Sequence, residues 1–155
     1  MGKEEKEIAE VLYGSLGFRD PIKVLRDCIK NEEWFKGLVL STAFFEGLGT
    51  RLLSANFKGR IKRKKIENLR SVEQIVMFLF ASEIIDQPTY CKMIEVNEFR
   101  NKIVHLKEMR VPTEPTFKTE DAKRMIEKAI VCLQELFKRM LEIVIHRFLE
   151  TKKGD

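Results

Sequence analysis

The stretch Thr119–Val144, TEDAKRMIEKAIVCLQELFKRMLEIV, decides the fold class. Its residues Ala122, Met125, Ile126, Ala129, Leu133, Leu136, Phe137, Met140 and Val144 recur at spacings of three and four. That spacing draws one apolar stripe on a helix of 3.6 residues per turn. A half-buried strand would alternate at every second residue, and no segment of the chain sustains that pattern. Thr119 stands at the cap position, and Glu120 and Asp121 occupy the first turn, where negative charge meets the positive end of the helix dipole.

Working back from this segment, the remaining punctuation is also helical. Pro112 and Pro115 make Val111 to Lys118 a loop, and a helix precedes it from Thr89 to about Met109. Pro88 is expected to end the helix before that one, because a residue preceding proline disfavours helical geometry. That earlier helix opens at Ser71-Val72-Glu73-Gln74, a capping box, and runs through Phe78 and Phe80 to Ile85. It is apolar on most sides and is expected to be buried. Near the N-terminus, Asp20-Pro21 supplies a cap and a first-turn proline for a short helix to about Lys30.

Asn31 is expected to cap a long helix from Glu32 to about Asn56, with Trp34, Leu38, Phe45 and Leu52 in its stripe and Phe35, Val39 and Leu53 widening it. Gly37, Ser41, Gly47 and Gly49 are small enough to admit a neighbouring helix. Glycine weakens a helix, so a kink is expected near Gly47-Leu48-Gly49. Gly59 ends the pattern. No repeat or low-complexity segment interrupts residues 1–155. The expectation is one all-α domain, an up-down helical bundle of four main helices plus short extra helices.

A chain of 155 residues buries roughly 70% of its unfolded surface, enough for a core without staples. Apolar residues make up 44% and charged residues 34%. Cys28, Cys91 and Cys132 are odd in number and lack metal-ligand spacing, which argues against a disulfide framework or zinc site and for a reducing, cytoplasmic setting. The segment Met-Gly-Lys-Glu-Glu-Lys-Glu is charged and has no apolar core, unlike a signal peptide. The least charged stretch, Gly37 to Thr50, still contains Glu46 and is too short to cross a bilayer. No membrane role, cofactor or metal is expected. Glycine-rich phosphate loops and metal-ligand clusters are absent from the sequence.

Net charge is +5, and the excess is local. Lys58, Arg60, Lys62, Arg63, Lys64 and Lys65 cluster, while the rest of the chain is close to neutral. A concentrated basic patch suits an edge that holds a polyanion such as RNA; the plain alternative is a solvated helix turn.

The chemistry-bearing stretch is Phe99-Arg100-Asn101-Lys102-Ile103-Val104-His105. Histidine moves protons near neutral pH, and arginine neutralises a phosphoryl oxyanion. At about 100° per residue, Arg100 falls inside the apolar face defined by Met93, Val96, Phe99 and Ile103. Asn101 and His105 fall on the other side, one turn apart. A cation in an apolar stripe calls for an anion, and Glu46, isolated among uncharged residues, is the expected partner of Arg100. The plain reading of that pair is an ion pair tying two helices together. His146 lacks such surroundings and is expected at the surface.

The R-N-x-x-x-H arrangement, late in an all-helical chain and followed by a loop and a long amphipathic helix, resembles the R-x(4–6)-H signature of the HEPN domain family. The resemblance covers most of the chain in helix pattern and rests on Arg100, Asn101 and His105 at motif level. It implies a bundle of four to five helices, a homodimer with the motif helices at the interface, and metal-independent RNA cleavage. On this pattern His105 would be the general base or acid, Arg100 would stabilise the phosphorane-like charge, Asn101 would orient His105 or contact phosphate, and Glu46 would hold Arg100. The resemblance also implies an antitoxin partner for toxin-type members. One large toxin group, which pairs with nucleotidyltransferase antitoxins, carries tyrosine two residues after the histidine; here that position is Lys107.

Three readings follow. The first is a metal-independent endoribonuclease of toxin or RNA-processing type. The second is a non-catalytic HEPN-like module that binds a nucleotide or a partner. The third, a helical DNA-binding regulator, ranks last, because the Ser71–Ile85 helix is too apolar to lie in a major groove.

Overall fold

The computed structural model describes residues 20–57, 60–69, 71–108 and 117–152. These form six helices and no strand: α1 Pro21–Lys30, α2 Trp34–Phe57, α3 Arg63–Glu67, α4 Val72–Ala81, α5 Gln87–Glu108 and α6 Thr119–Lys152. The all-helical expectation holds. Among the described residues three helices are long and three are ten residues or shorter. Among the described residues no helix is long and apolar enough to cross a membrane.

Direct contacts fix the directions of the long helices. Gly37 of α2 packs against Ile126 of α6, and further along Arg147 Nη2 donates to Ala55 O at 2.7 Å. These two helices therefore run parallel. On α5, Glu95 Oε2 accepts from Lys128 Nζ at 2.6 Å, while Lys92 lies near Cys132, so α5 runs antiparallel to α6. The shorter α1 packs on α2 and α6, α3 on α2, and α4 on α2 and α5.

The core sits where these helices meet. Leu25, Leu38, Phe45, Leu48, Leu52, Leu53, Ile75, Leu79, Met93, Ile126, Leu133 and Leu136 are fully buried. Burial at this level contributes about 1.5–3 kcal/mol per large side chain. Two glycines set the closest approaches. A Cβ on Gly37 would stand 2.5 Å from Ile126 Cδ1, and one on Gly49 would stand 2.5 Å from Ile75 Cγ2. Gly37 and Gly49 of α2 therefore admit neighbours as the sequence suggests, and α2 is one continuous helix through Gly47-Leu48-Gly49.

Some helix ends differ from expectation. Asp20 Oδ1 accepts from Ile22 N and Lys23 N at 3.0 and 3.3 Å, and Pro21 sits in the first turn, as read from the sequence. Asn31, however, closes α1, its N–H donating to Asp27 O at 2.9 Å; Glu32 then turns the chain in the left-handed region at φ 57°. Ser71 Oγ accepts from Gln74 N at 3.1 Å and caps α4. That helix stops at Ala81, before Ile84 and Ile85, and Glu83 at φ 58° turns the chain. Pro88 does not end a helix. It lies in the first turn of α5, where a missing N–H costs nothing. Asp86 Oδ1 caps that turn by accepting from Thr89 N at 2.9 Å, and the Thr89 side chain, together with this backbone bond, holds the Asp86 carboxyl below its ordinary range.

Burial corrects three further expectations. Helix α4 buries Ile75, Val76 and Leu79 but exposes Met77, Phe78 and Phe80, because neighbours cover only one side of it. Phe35 stands at the surface of α2 instead of in its stripe. Along α6 the stripe is buried from Ala122 to Met140, with Phe137 half-buried, and Val144 is exposed. The loop expected over Val111–Lys118 lies outside the described residues as far as residue 116.

Candidate functional site

Helix α5 carries Arg100, Asn101 and the backbone of His105 in one continuous stretch. Arg100 is half-buried, flanked along its face by the buried residues Val96 and Ile103, as its place in the apolar stripe implies. Phe99 beside it meets Phe117 edge-on, ring centroids 6.2 Å apart. This contact ties the motif helix to the approach of α6.

The guanidinium does not reach across to another helix. Arg100 Nη1 donates to Asn101 Oδ1 at 2.9 Å, and Arg100 Nε is buried with no acceptor. No ion pair joins Arg100 to Glu46, whose side chain is exposed on α2. The expected partner is replaced by the adjacent amide, because the guanidinium bends along its own helix.

This bond has a chemical consequence. With one lone pair of the Asn101 oxygen taken by Arg100, the amide is oriented with its two N–H groups free to donate. His105 follows Asn101 by four residues, the separation at which helix neighbours face each other. The projected separation of Arg100 from Asn101 is thus bridged by the arginine side chain itself. The side chain of His105 lies outside the described residues.

The basic run is built differently. Ile66 is buried and anchors α3 against α2, while Arg60, Lys62, Lys64 and Lys65 are exposed around it. Ile66, with Leu69 packed beside the core, thus anchors a segment whose four described cations face solvent. Lys58 and the side chain of Arg63 lie outside the described residues. His146 is at the surface, as expected, with Nε2 3.4 Å from Glu150 Oε1. Cys28 and Cys132 are buried and Cys91 is exposed; burial pushes the Cys132 thiol up to about 12, so it stays protonated near neutral pH.

Comparison with protein-family models, with curated proteins and with solved structures finds no match for this chain.

Proposed function

We propose that this chain is a HEPN-like, metal-independent endoribonuclease. The observation that carries the reading is the Arg100–Asn101 hydrogen bond on the helix that also holds His105. It joins a cation and an amide on the helix whose sequence places His105 one turn further on. In the proposed reaction His105 takes the proton of a ribose 2′-hydroxyl, which attacks the adjacent phosphorus. Arg100 stabilises the developing oxyanion charge, the 5′-oxygen leaves with a proton, and a 2′,3′-cyclic phosphate remains. Asn101 holds the imidazole or a phosphate oxygen through its N–H groups. Glu46 has no part in this scheme as a partner of Arg100. The exposed cations Arg60, Lys62, Lys64 and Lys65, with Lys58 and Arg63 of the same run, hold the RNA backbone.

The test is incubation of wild type, His105→Ala and Arg100→Ala with mixed RNA in EDTA, followed by analysis of product ends. Wild type is expected to leave 2′,3′-cyclic phosphates and both variants to lose at least about 100-fold in rate, the scale of a lost general acid–base group. Cleavage that survives His105→Ala overturns the chemistry. Nucleotide binding without turnover by wild type would select the non-catalytic binding module.

A further inference from the structure

Helix α4 ends beside the start of α5, and its last turn lays Phe80 on Tyr90, with ring centroids 4.8 Å apart and planes inclined by 30°. Tyr90 is half-buried, whereas Phe80 is 40% exposed. One face of the Phe80 ring is taken by Tyr90, so its exposure falls on the other face and the edges. Met77, one turn earlier on the same side of α4, is 49% exposed and widens this surface. An open aromatic face is a surface on which any nucleobase can stack. A ring pair can also do no more than tie two helices together, and its place in the molecule decides between the two.

The contacts of Glu95 with Lys128 and of Gly37 with Ile126 set α5, α6 and α2 in register. On that register Arg100 stands level with Trp34 at the start of α2. Tyr90 stands level with Phe44 near the middle of α2, about 15 Å from Arg100 along the axis. The basic run begins at the other end of α2, where Arg60 N donates to Phe57 O at 2.8 Å, about 20 Å beyond Tyr90. The rings therefore stand between the cations proposed to hold phosphates and the arginine proposed to act on one. They also share a side of α5 with the motif. From Tyr90 to Asn101 the helix makes three turns and returns to within about 20° of the same direction. Ile94 and Asn97 fall between them on that line.

We infer that Phe80, backed by Tyr90, is a base-stacking platform for single-stranded RNA that passes from the basic run to Arg100. The inference rests on the ribonuclease reading for the nature of the ligand. The whole path is about 35 Å, the length of roughly ten stacked nucleotides at about 3.4 Å each. Glu83, exposed just beyond Phe80, repels phosphate at this point, so the rings hold the base and the cations hold the backbone. A duplex keeps its bases stacked on one another, and the platform therefore selects single strands. Phe80 positions the strand and touches no reacting atom.

The test is fluorescence anisotropy with a single-stranded 2′-O-methyl RNA of about twelve nucleotides, within the range of known single-strand sites. This strand lacks the attacking hydroxyl, so binding is read apart from cleavage. Wild type is expected to bind it about tenfold more tightly than the same backbone without bases, the scale of one stacked base. Phe80→Leu keeps an apolar side chain against Tyr90 and is expected to lose that preference while binding the abasic strand as before. Phe80→Trp is expected to retain the preference. Photocross-linking of an iodouracil-bearing strand to wild type, which needs no variant to fold, is expected to label the peptide holding Phe80. A Phe80→Leu protein that keeps the preference, a label found only elsewhere, or a wild type with no affinity for the strand overturns the proposal. Base preference that depends on Phe80 in a protein that cuts no RNA keeps the platform and overturns the ribonuclease reading. Cleavage by a protein whose base preference ignores Phe80 does the reverse.

Discussion

A guanidinium whose Nε hydrogen is buried without an acceptor costs a fold about 1–3 kcal/mol, and Arg100 carries one. Its Nη1 bond goes to its immediate neighbour, Asn101, and ties no second helix into the bundle. Replacing it with an apolar side chain of similar length removes the unsatisfied donor while filling the space between Val96 and Ile103. Arg100→Met is therefore expected to leave denaturant stability unchanged or to raise it by up to ~2 kcal/mol, while RNA cleavage is lost. A loss of stability together with activity would mark Arg100 as a packing residue. The position of Arg100 in the apolar stripe was legible from the sequence, because the projection of Cα directions depends only on helix geometry. Its bond to Asn101 was not, since a projection does not record the path of a long side chain. The same limit explains Glu46: isolation among uncharged residues suggested burial, yet its place on α2 faces solvent.

At the scale of elements, signals that serve one helix end were read correctly and signals that serve either end were not. Asp20-Pro21 and Ser71 fit only an N-terminus, and both cap as read. Asn31 suits a C-terminal cap as well as an N-terminal one, and Pro88 suits a first turn as well as a stop. In each case the choice was made by a neighbour: left-handed Glu32 in the first, the Asp86 cap in the second. The glycines of α2 show what such local reading can support. At Gly49 an added Cβ meets Ile75 Cγ2, a branch methyl fixed beside its backbone. At Gly37 it meets Ile126 Cδ1, the far end of a side chain that can rotate. Overpacking costs about 1–3 kcal/mol, against a gain of about 1 kcal/mol in helix propensity. Gly49→Ala is expected to lower unfolding free energy by ~1 kcal/mol and Gly37→Ala to come closer to neutral, as measured by denaturant unfolding. Equal losses at both sites would show that the Ile126 methyl cannot yield.

The topology of the whole molecule was the least legible part. The parallel run of α2 and α6 rests on contacts between residues about ninety positions apart, Gly37 with Ile126 and Arg147 with Ala55, and no local pattern encodes them. Charge was more legible, because net charge and its clustering are properties of the sequence itself. The structure adds that Ile66 turns inward beneath the run, leaving Arg60, Lys62, Lys64 and Lys65 exposed. A polyanion edge of this kind has a thermodynamic signature. Each phosphate neutralised on a single strand releases counterions and adds about −0.7 to the slope of log K against log salt. Replacing three of these lysines, in the variant Lys62→Ala, Lys64→Ala, Lys65→Ala, is expected to flatten the slope by ~2 and to weaken binding most at low salt. All three side chains are exposed, so unfolding temperature is expected to stay within error of wild type. Fluorescence anisotropy with a labelled single-stranded RNA over a range of salt concentrations measures the slope. An unchanged slope would place the RNA-binding edge elsewhere and return the basic run to an ordinary solvated turn. The catalytic reading of Arg100 and His105 would then stand or fall separately, because it predicts the chemistry of the products and not the salt dependence of capture.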